Sequence, residues 1–283
     1  MKIFKKVLKI TGITSFLLLL VFYGLFYTMT APKSDEKVLE AFEELGETPV
    51  ITRQKFKGFE YRKVAIVKDT NLPSLVFVHG TIGSVLDFKR YMTDSSLLRR
   101  TNMLVYDRIG YNYKDKNDVQ ESISFEVDML EDMIKDLNPE KTILVGYSYG
   151  GPIALASKKK YKKIILFAPA VYAKVEPMPA MINVYKWQLT RWLVPPIWKQ
   201  ASKEKISHQK DLEKFEDSWT ENPSEVLCVH GDADWIVPFA NSKFLQNIFP
   251  EEQLTLQTIS GAGHDLIWSE FAKLKRLLLN AVH

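Results

Sequence analysis

From residue 59 onward the chain alternates between short runs rich in β-branched and aromatic residues and longer stretches with helical spacing. No other feature narrows the fold as much. Strands separated by helix-length crossovers run parallel, and a parallel sheet needs helices on both faces. The pattern predicts strands at 59–67, 74–79, 102–107, 141–146, 163–168, 225–230 and 253–259. Ile123, Val127, Leu130, Ile134 and Leu137 step by four and three, which predicts an amphipathic helix, with Asp118–Glu121 ("DVQE") as a capping box ahead of it. Ile267, Phe271, Leu274 and Leu278 repeat that pattern in a last helix.

The alternation lapses once. Between Ala168 and Glu225 no segment reads as a strand, and "MINVYKWQLTRWLVPPIWKQ" is rich in aromatic and helix-forming residues. Such an insertion is too long for a plain loop. It follows the carboxyl end of a strand, the edge at which open α/β sheets bind ligands, so a helical cap over residues 170–222 is expected.

The first 34 residues are of another kind. Lys2, Lys5, Lys6 and Lys9 precede residues 10–29, "ITGITSFLLLLVFYGLFYTM", 20 residues without a charge and enough to cross a hydrocarbon core as a helix. This apolar region is longer than that of a cleaved signal peptide, and "YTMTAPKS" is a poor small-x-small site, so an uncleaved signal-anchor over residues 1–34 is expected. Four lysines lie before the span, while Lys33 and Lys37 after it are offset by Asp35 and Glu36. The positive-inside rule then keeps the amino terminus in the cytoplasm and leaves residues 35–283 outside, as a single-pass membrane protein. Residues 31–58 read as a polar juxtamembrane stretch, partly helical around "EKVLEAFEEL", with the globular part starting near Phe59.

Charge excludes one class of partner. The 38 basic and 34 acidic residues leave a net +4, much of it in lysine clusters such as "KKKYKK" (158–163), read as a solvated loop, so nucleic acid is not an expected partner. A single cysteine, Cys228, rules out an intramolecular disulfide, and no Cys and His spacing resembles a metal site. The reading calls for no metal and no cofactor.

Chemistry enters at Gly146-Tyr147-Ser148-Tyr149-Gly150, a G-x-S-x-G pattern. Alone it would arise by chance in about one chain in ten of this length. Its context is a buried-strand pattern, "KTILV", on one side and a small-residue helix pattern, "GPIALAS", on the other. Strand, sharp turn and helix hold a serine at a strained positive φ, and the flanking glycines remove side chains that would collide there. A serine hydroxyl also needs a base. Of the five histidines, His283 is the last residue, His208 lies in the insertion, His230 ends a strand as a core or turn residue, and His79 belongs to another motif. His264, in the glycine-rich "SGAGHDLIW" between the last strand and the last helix, is the candidate base. The carboxylate that would orient it lies in "VHGDADWIVP", where Asp232 and Asp234 compete. In "SLVFVHGTIGS" a strand runs into His79 and Gly80, which build a loop, and the N–H groups of Thr81 and Tyr149 would form an oxyanion hole.

Taken together, "FVHGTIGS", "YDRIGYNYK", "LVGYSYGGPIAL", "GDADWIVP" and "GAGHDLIW" make residues 59–283 resemble an α/β-hydrolase. The resemblance implies a mostly parallel sheet flanked by helices, with Ser148 as nucleophile and His264 as base. It also selects Asp234 over Asp232, through the turn pattern Gly-x-x-Asp-x-x-x-Pro. One departure is Asn112, which replaces the second glycine of the usual Asp-x-Arg-Gly-x-Gly form. Family members that open epoxides or remove halogens carry aspartate at the elbow, and the serine argues against them. The expected protein is a membrane-anchored serine hydrolase, a carboxylesterase or lipase-like enzyme working through an acyl-enzyme on an apolar small-molecule acyl substrate. The same triad would serve an acyltransferase, or an aminopeptidase-like peptidase using Glu176 or Glu204 to hold a substrate amino terminus. A non-catalytic scaffold is the remaining alternative, and the intact triad disfavours it.

Overall fold

The computed structural model describes residues 2–112, 114 and 117–282; His283, and Tyr113 within "YDRIGYNYK", lie outside them. Eight strands, β1 Val50–Phe56, β2 Phe59–Ile66, β3 Ser74–Val78, β4 Asn102–Tyr106, β5 Thr142–Tyr147, β6 Lys163–Phe167, β7 Val226–Gly231 and β8 Leu254–Ile259, form one sheet in the order β1-β2-β4-β3-β5-β6-β7-β8. β1 and β2 pair antiparallel, as do β2 and β4, and every other neighbour is parallel. The sheet is thus mostly parallel and covered on both faces. Val76 and Val78 of β3 point to the layer that holds helices Ile123–Met133 and Gly150–Ala156, whereas Leu75 and Phe77 point to Val38, Phe88, Tyr91 and the carboxyl-terminal helix Phe271–Val282. Burial on both sides is why the central strands read as unbroken apolar runs.

Seven strands lie within one residue of their predicted limits at either end. β1 is the exception, because it lies inside the stretch read as juxtamembrane. It is an edge strand whose residues are all exposed or half-buried, so "VITRQKF" carries only a faint apolar signal. The folded body therefore starts well before Phe59, with helix Asp35–Glu43, which is capped by Ser34 and buries Val38 and Phe42.

Two helix boundaries also differ. Helix Ile123–Met133 is capped by Ser122 rather than by a box at Asp118–Glu121. Glu121 sits at φ +53°, Asp118 bonds Gln200 at 3.0 Å, and the Ile123 N–H donates to Asp211 at 2.5 Å, so contacts from the insertion determine where this helix begins. The last helix is two, Leu266–Ser269 and Phe271–Val282, and Ile267 belongs to the first. At the other end, helix Lys2–Met29 starts ahead of residue 10, and its Ile3–Met29 part is long and apolar enough to cross a membrane. Between β6 and β7 the chain is helical throughout its regular parts, with Pro196–Leu212 the longest element.

The join between the amino-terminal helix and the body rests on one buried arginine. Arg62, 1% exposed, bonds Asp107 at 2.6 and 2.7 Å, donates to the Lys33 carbonyl at 2.8 Å and reaches Asp35 at 3.0 Å. Asp35 also pairs with Arg53 at 2.5 Å. Burial raises the Asp107 pKa, and the Arg62 charge opposes that rise. Replacing Arg62 strands the Asp107 carboxylate without its counter-ion. Arg62→Met is expected to lower unfolding free energy by about 3–5 kcal/mol, read as a lower midpoint in chemical denaturation; an unchanged midpoint would contradict the clasp.

Candidate active site

β5 ends and helix Gly150–Ala156 begins with Ser148 and Tyr149 alone between them, and Ser148 takes φ +54°, a conformation L-residues seldom adopt. Its backbone is held from both sides: the N–H donates to Phe167 O at 2.9 Å, and its carbonyl accepts from Gly151 and Ala170 at 2.9 and 3.2 Å. The turn is possible only because backbones meet without side chains between them. A Cβ on Gly150 would lie 2.1 Å from the Val78 carbonyl oxygen, and one on Gly80 would lie 2.8 Å from the Ser148 Cβ. Gly146 has the same kind of restriction, with a Cβ landing 2.4 Å from Gly150 O.

The three side chains singled out in the sequence converge from the ends of β5, β7 and β8. His264 Nε2 lies 3.0 Å from Ser148 Oγ, and His264 Nδ1 lies 2.7 Å from Asp234 Oδ2. A carboxylate on Nδ1 keeps the proton there and leaves Nε2 to accept from the serine hydroxyl. Burial works to raise the Asp234 pKa, but hydrogen bonds from His230 and His264, the electrostatic pull of His264 and the Val237 N–H outweigh it and hold the carboxyl well below the usual range. Asp234 Oδ1 accepts from the Ile236 and Val237 N–H groups, each at 2.9 Å. Asp232 instead accepts from the Gly261 N–H at 2.6 Å and shapes the adjoining turn.

Neither Thr81 nor Tyr149 has a hydrogen-bond acceptor for its backbone N–H among the described residues. Thr81 follows Gly80, which packs on the serine, and Tyr149 follows the serine itself. His79 lies away from this chemistry: Nδ1 bonds Gly80 O at 2.7 Å and Nε2 accepts the Arg108 N–H at 3.0 Å. Burial, aided by the Arg108 charge, lowers its pKa to about 3, so it is a neutral strut.

Four contributors were not assigned to the site from sequence. His230 places Nε2 3.2 Å from Asp234 Oδ2 while its Nδ1 meets Ser242 Oγ at 2.6 Å, so it supports the carboxylate that His264 uses. Tyr147 stacks on the His264 ring at 5.1 Å and donates its hydroxyl to His264 O at 2.7 Å. Arg108 is fully buried and pairs with Glu204 of helix Pro196–Leu212, with its guanidinium 4.3 Å from the Tyr149 ring. Glu204 in turn accepts from Thr81 Oγ1 at 2.6 Å and from the Tyr111 hydroxyl at 2.9 Å. One turn on, His208 lies 4.5 Å from the Tyr149 ring. The insertion thus grips both residues whose N–H groups were singled out. The i, i+4 spacing of Glu204 and His208 was visible, but their partners lie far away in the chain. Glu176, the other acidic candidate of the insertion, is paired with Lys205. Asn112, at the departure from the usual pattern, accepts from Arg53 at 2.6 Å and so ties β1 to this loop.

A family model described as the alpha/beta hydrolase family matches residues 75–274. A proline iminopeptidase of Saccharolobus solfataricus is 32% identical over 108 residues, 37% of this chain; the match spans about a third (34%) of that relative's length. Among solved structures, an esterase from Exiguobacterium antarcticum superposes with a TM-score of 0.65 at 19% identity, over 81% of this chain and 98% of its own. A membrane phospholipase A, described as a bacterial virulence factor, does so with a TM-score of 0.63 at 15% identity, over 97% of this chain and 99% of its own.

The cluster behind the site carries a pH signature. Glu126 sits against Arg108 at 3.4 Å, its Oε2 has no hydrogen-bond partner among the described residues, and burial raises its pKa from 4.5 to about 7 against the pull of Arg108. Between those two values Glu126 holds a proton in the folded chain that it has lost in the unfolded chain, so its contribution to stability falls as pH rises through that window. The full effect is on the order of 3 kcal/mol. In urea denaturation from pH 4.5 to 7, the stability of Glu126→Gln is expected to follow a more positive slope than that of the wild type; parallel slopes would reject the assignment.

Proposed function

The chain belongs to the alpha/beta hydrolase family, and from that footing we propose that it is a membrane-anchored serine hydrolase cleaving carboxylic esters through an acyl-enzyme. The observation that carries this reading is the linear chain Ser148 Oγ, His264, Asp234, with separations of 3.0 and 2.7 Å. Ser148 Oγ attacks the ester carbonyl carbon while His264 Nε2 takes its proton. The carbonyl oxygen becomes an anion and is met by the N–H groups of Thr81 and Tyr149, a donor pair of the kind worth about 3–4 kcal/mol each in the transition state. Collapse expels the alcohol, which receives the proton from His264 and leaves the acyl group on Ser148. Water then repeats the attack, with His264 again as base, and releases the acid. Asp234 stabilises the imidazolium throughout without taking its proton.

Esters are favoured over peptides by what the insertion does with its acidic residues. A peptidase that captures a substrate ammonium needs an unpaired carboxylate near the site. Glu204 is neutralised by Arg108 and Glu176 by Lys205, so neither offers a free negative charge. The limited likeness to a proline iminopeptidase does not supply that missing group.

Anchoring rests on helix Lys2–Met29, whose residues from Ile3 on are exposed or half-buried. The lysines at its start support a topology with the amino terminus inside and the body outside, by the positive-inside rule. The likeness to a membrane phospholipase A extends over 97% of this chain and so includes part of that helix.

A fluorophosphonate probe should label the wild type and fail to label Ser148→Ala or His264→Ala. Hydrolysis of p-nitrophenyl esters should fall at least about 10³-fold in either variant. Labelling that survives His264→Ala at the wild-type rate would reject the mechanism. Faster turnover of an aminoacyl nitroanilide than of any ester would move the protein to the peptidases.

A further inference from the structure

The insertion carries an apolar surface that the body does not bury. Met181, Trp187, Leu189 and Trp192 are 65, 61, 69 and 69% exposed, within one short segment ahead of helix Pro196–Leu212. Isolated exposed apolar residues are ordinary, but large ones grouped like this mark a contact surface. They are also held outward by the segment's own bonds. Trp192 Nε1 donates to Leu189 O at 2.9 Å, Thr190 Oγ1 to Val184 O at 2.7 Å, and Arg191 Nε to Tyr185 O at 2.8 Å.

The occupant is indicated by the amino-terminal helix. Phe26, one turn from its end, lies 5.7 Å from Trp198 of helix Pro196–Leu212, ring to ring. The insertion therefore meets the anchor at the level where the anchor leaves the bilayer, beside Tyr23 and Tyr27, residue types suited to a membrane interface. Residues 30–34 give the body little freedom to turn away, because Arg62 holds Lys33 and, with Arg53, Asp35. Charge does not oppose this: residues 178–199 contain Lys186, Arg191 and Lys199 and no acidic residue, so no side chain there repels an anionic headgroup.

We propose that residues 178–198 lie in the headgroup layer of the leaflet where the anchor ends, with Trp187, Leu189 and Trp192 inserted among the lipids. This deepens the reading of the protein as an anchored ester hydrolase and rests on it. The same insertion grips Thr81 and Tyr149 through Glu204 and His208, so the lipid-facing surface and the site share one element. Its substrate is then a long-chain acyl lipid that reaches Ser148 from the bilayer rather than from bulk water.

The full-length protein, reconstituted in vesicles of phosphatidylcholine and phosphatidylglycerol, provides the test. Lipids brominated near the headgroup should quench tryptophan fluorescence in the wild type, and Trp187→Phe/Trp192→Phe should remove most of that quenching. Leu189→Glu/Trp192→Glu should slow hydrolysis of a vesicle-embedded long-chain ester at least about tenfold while leaving a soluble short-chain ester within about twofold in detergent. Quenching that is equal in the wild type and the double Phe variant would overturn the inference. Release of the protein by alkaline carbonate would overturn the anchor and this inference together. Retention on the membrane and normal fluorophosphonate labelling, with Trp187 and Trp192 unquenched, would overturn this inference alone. In that case, cross-linking as a dimer would assign the surface to a second copy of the chain.

Discussion

Two consecutive buried residues of opposite charge, Asp107 and Arg108, fasten to the sheet the parts of the chain that lie beyond it. Asp107 binds Arg62, which holds Lys33 and Asp35 and with them the exit of the amino-terminal helix. Arg108 binds Glu204 and Glu126, and through Glu204 it holds the insertion against Thr81 and Tyr111. Its backbone N–H meets His79, so the loop after β3 hangs from the same point. Buried charges are costly without partners, and the cost becomes specificity here: each appendage supplies the counter-charge in only one position. The orientation of the amino-terminal helix and the packing of the insertion over the site are thus set by neighbours in sequence at the end of β4.

The elbow adds a steric constraint to this electrostatic one. β3 and β5 are paired in parallel with Val78 opposite Gly146, so their carboxyl ends carry the loop of Gly80 and Thr81 and Ser148 toward each other. Gly80 and Gly150 let the two backbones come within contact distance. Positive φ at Ser148 is sustained because its N–H and carbonyl are both engaged, which holds the strained conformer in place. On the far side, His230 and two backbone N–H groups hold the Asp234 carboxylate ionised and aimed at His264. The proposed chemistry therefore meets a site whose geometry is already in place before any substrate arrives.

Local pattern made the core legible. Seven strands, the helical patterns between them and the positions of Ser148 and His264 at strand ends follow from apolar period and turn residues, since a doubly covered parallel strand must be apolar throughout. β1 escaped because an edge strand buries only part of its surface. The start of helix Ile123–Met133 escaped because Asp211, from a distant part of the chain, supplies a cap there.

By itself, then, the sequence determined the mostly parallel sheet, the order of seven of its eight strands along the chain, and the candidate serine, base and oxyanion donors, because each is written in residues close together in the chain. The family's turn pattern was needed to single out Asp234 from Asp232. Only tertiary structure decided what those candidates touch: that Asp232 reaches Gly261 while Asp234 reaches His264, that Glu204 is matched by Arg108 rather than free, and that Phe26 lies on Trp198. These pairings join residues dozens to well over a hundred positions apart. Their partners are chosen by how the layers pack, and no local spacing records that choice.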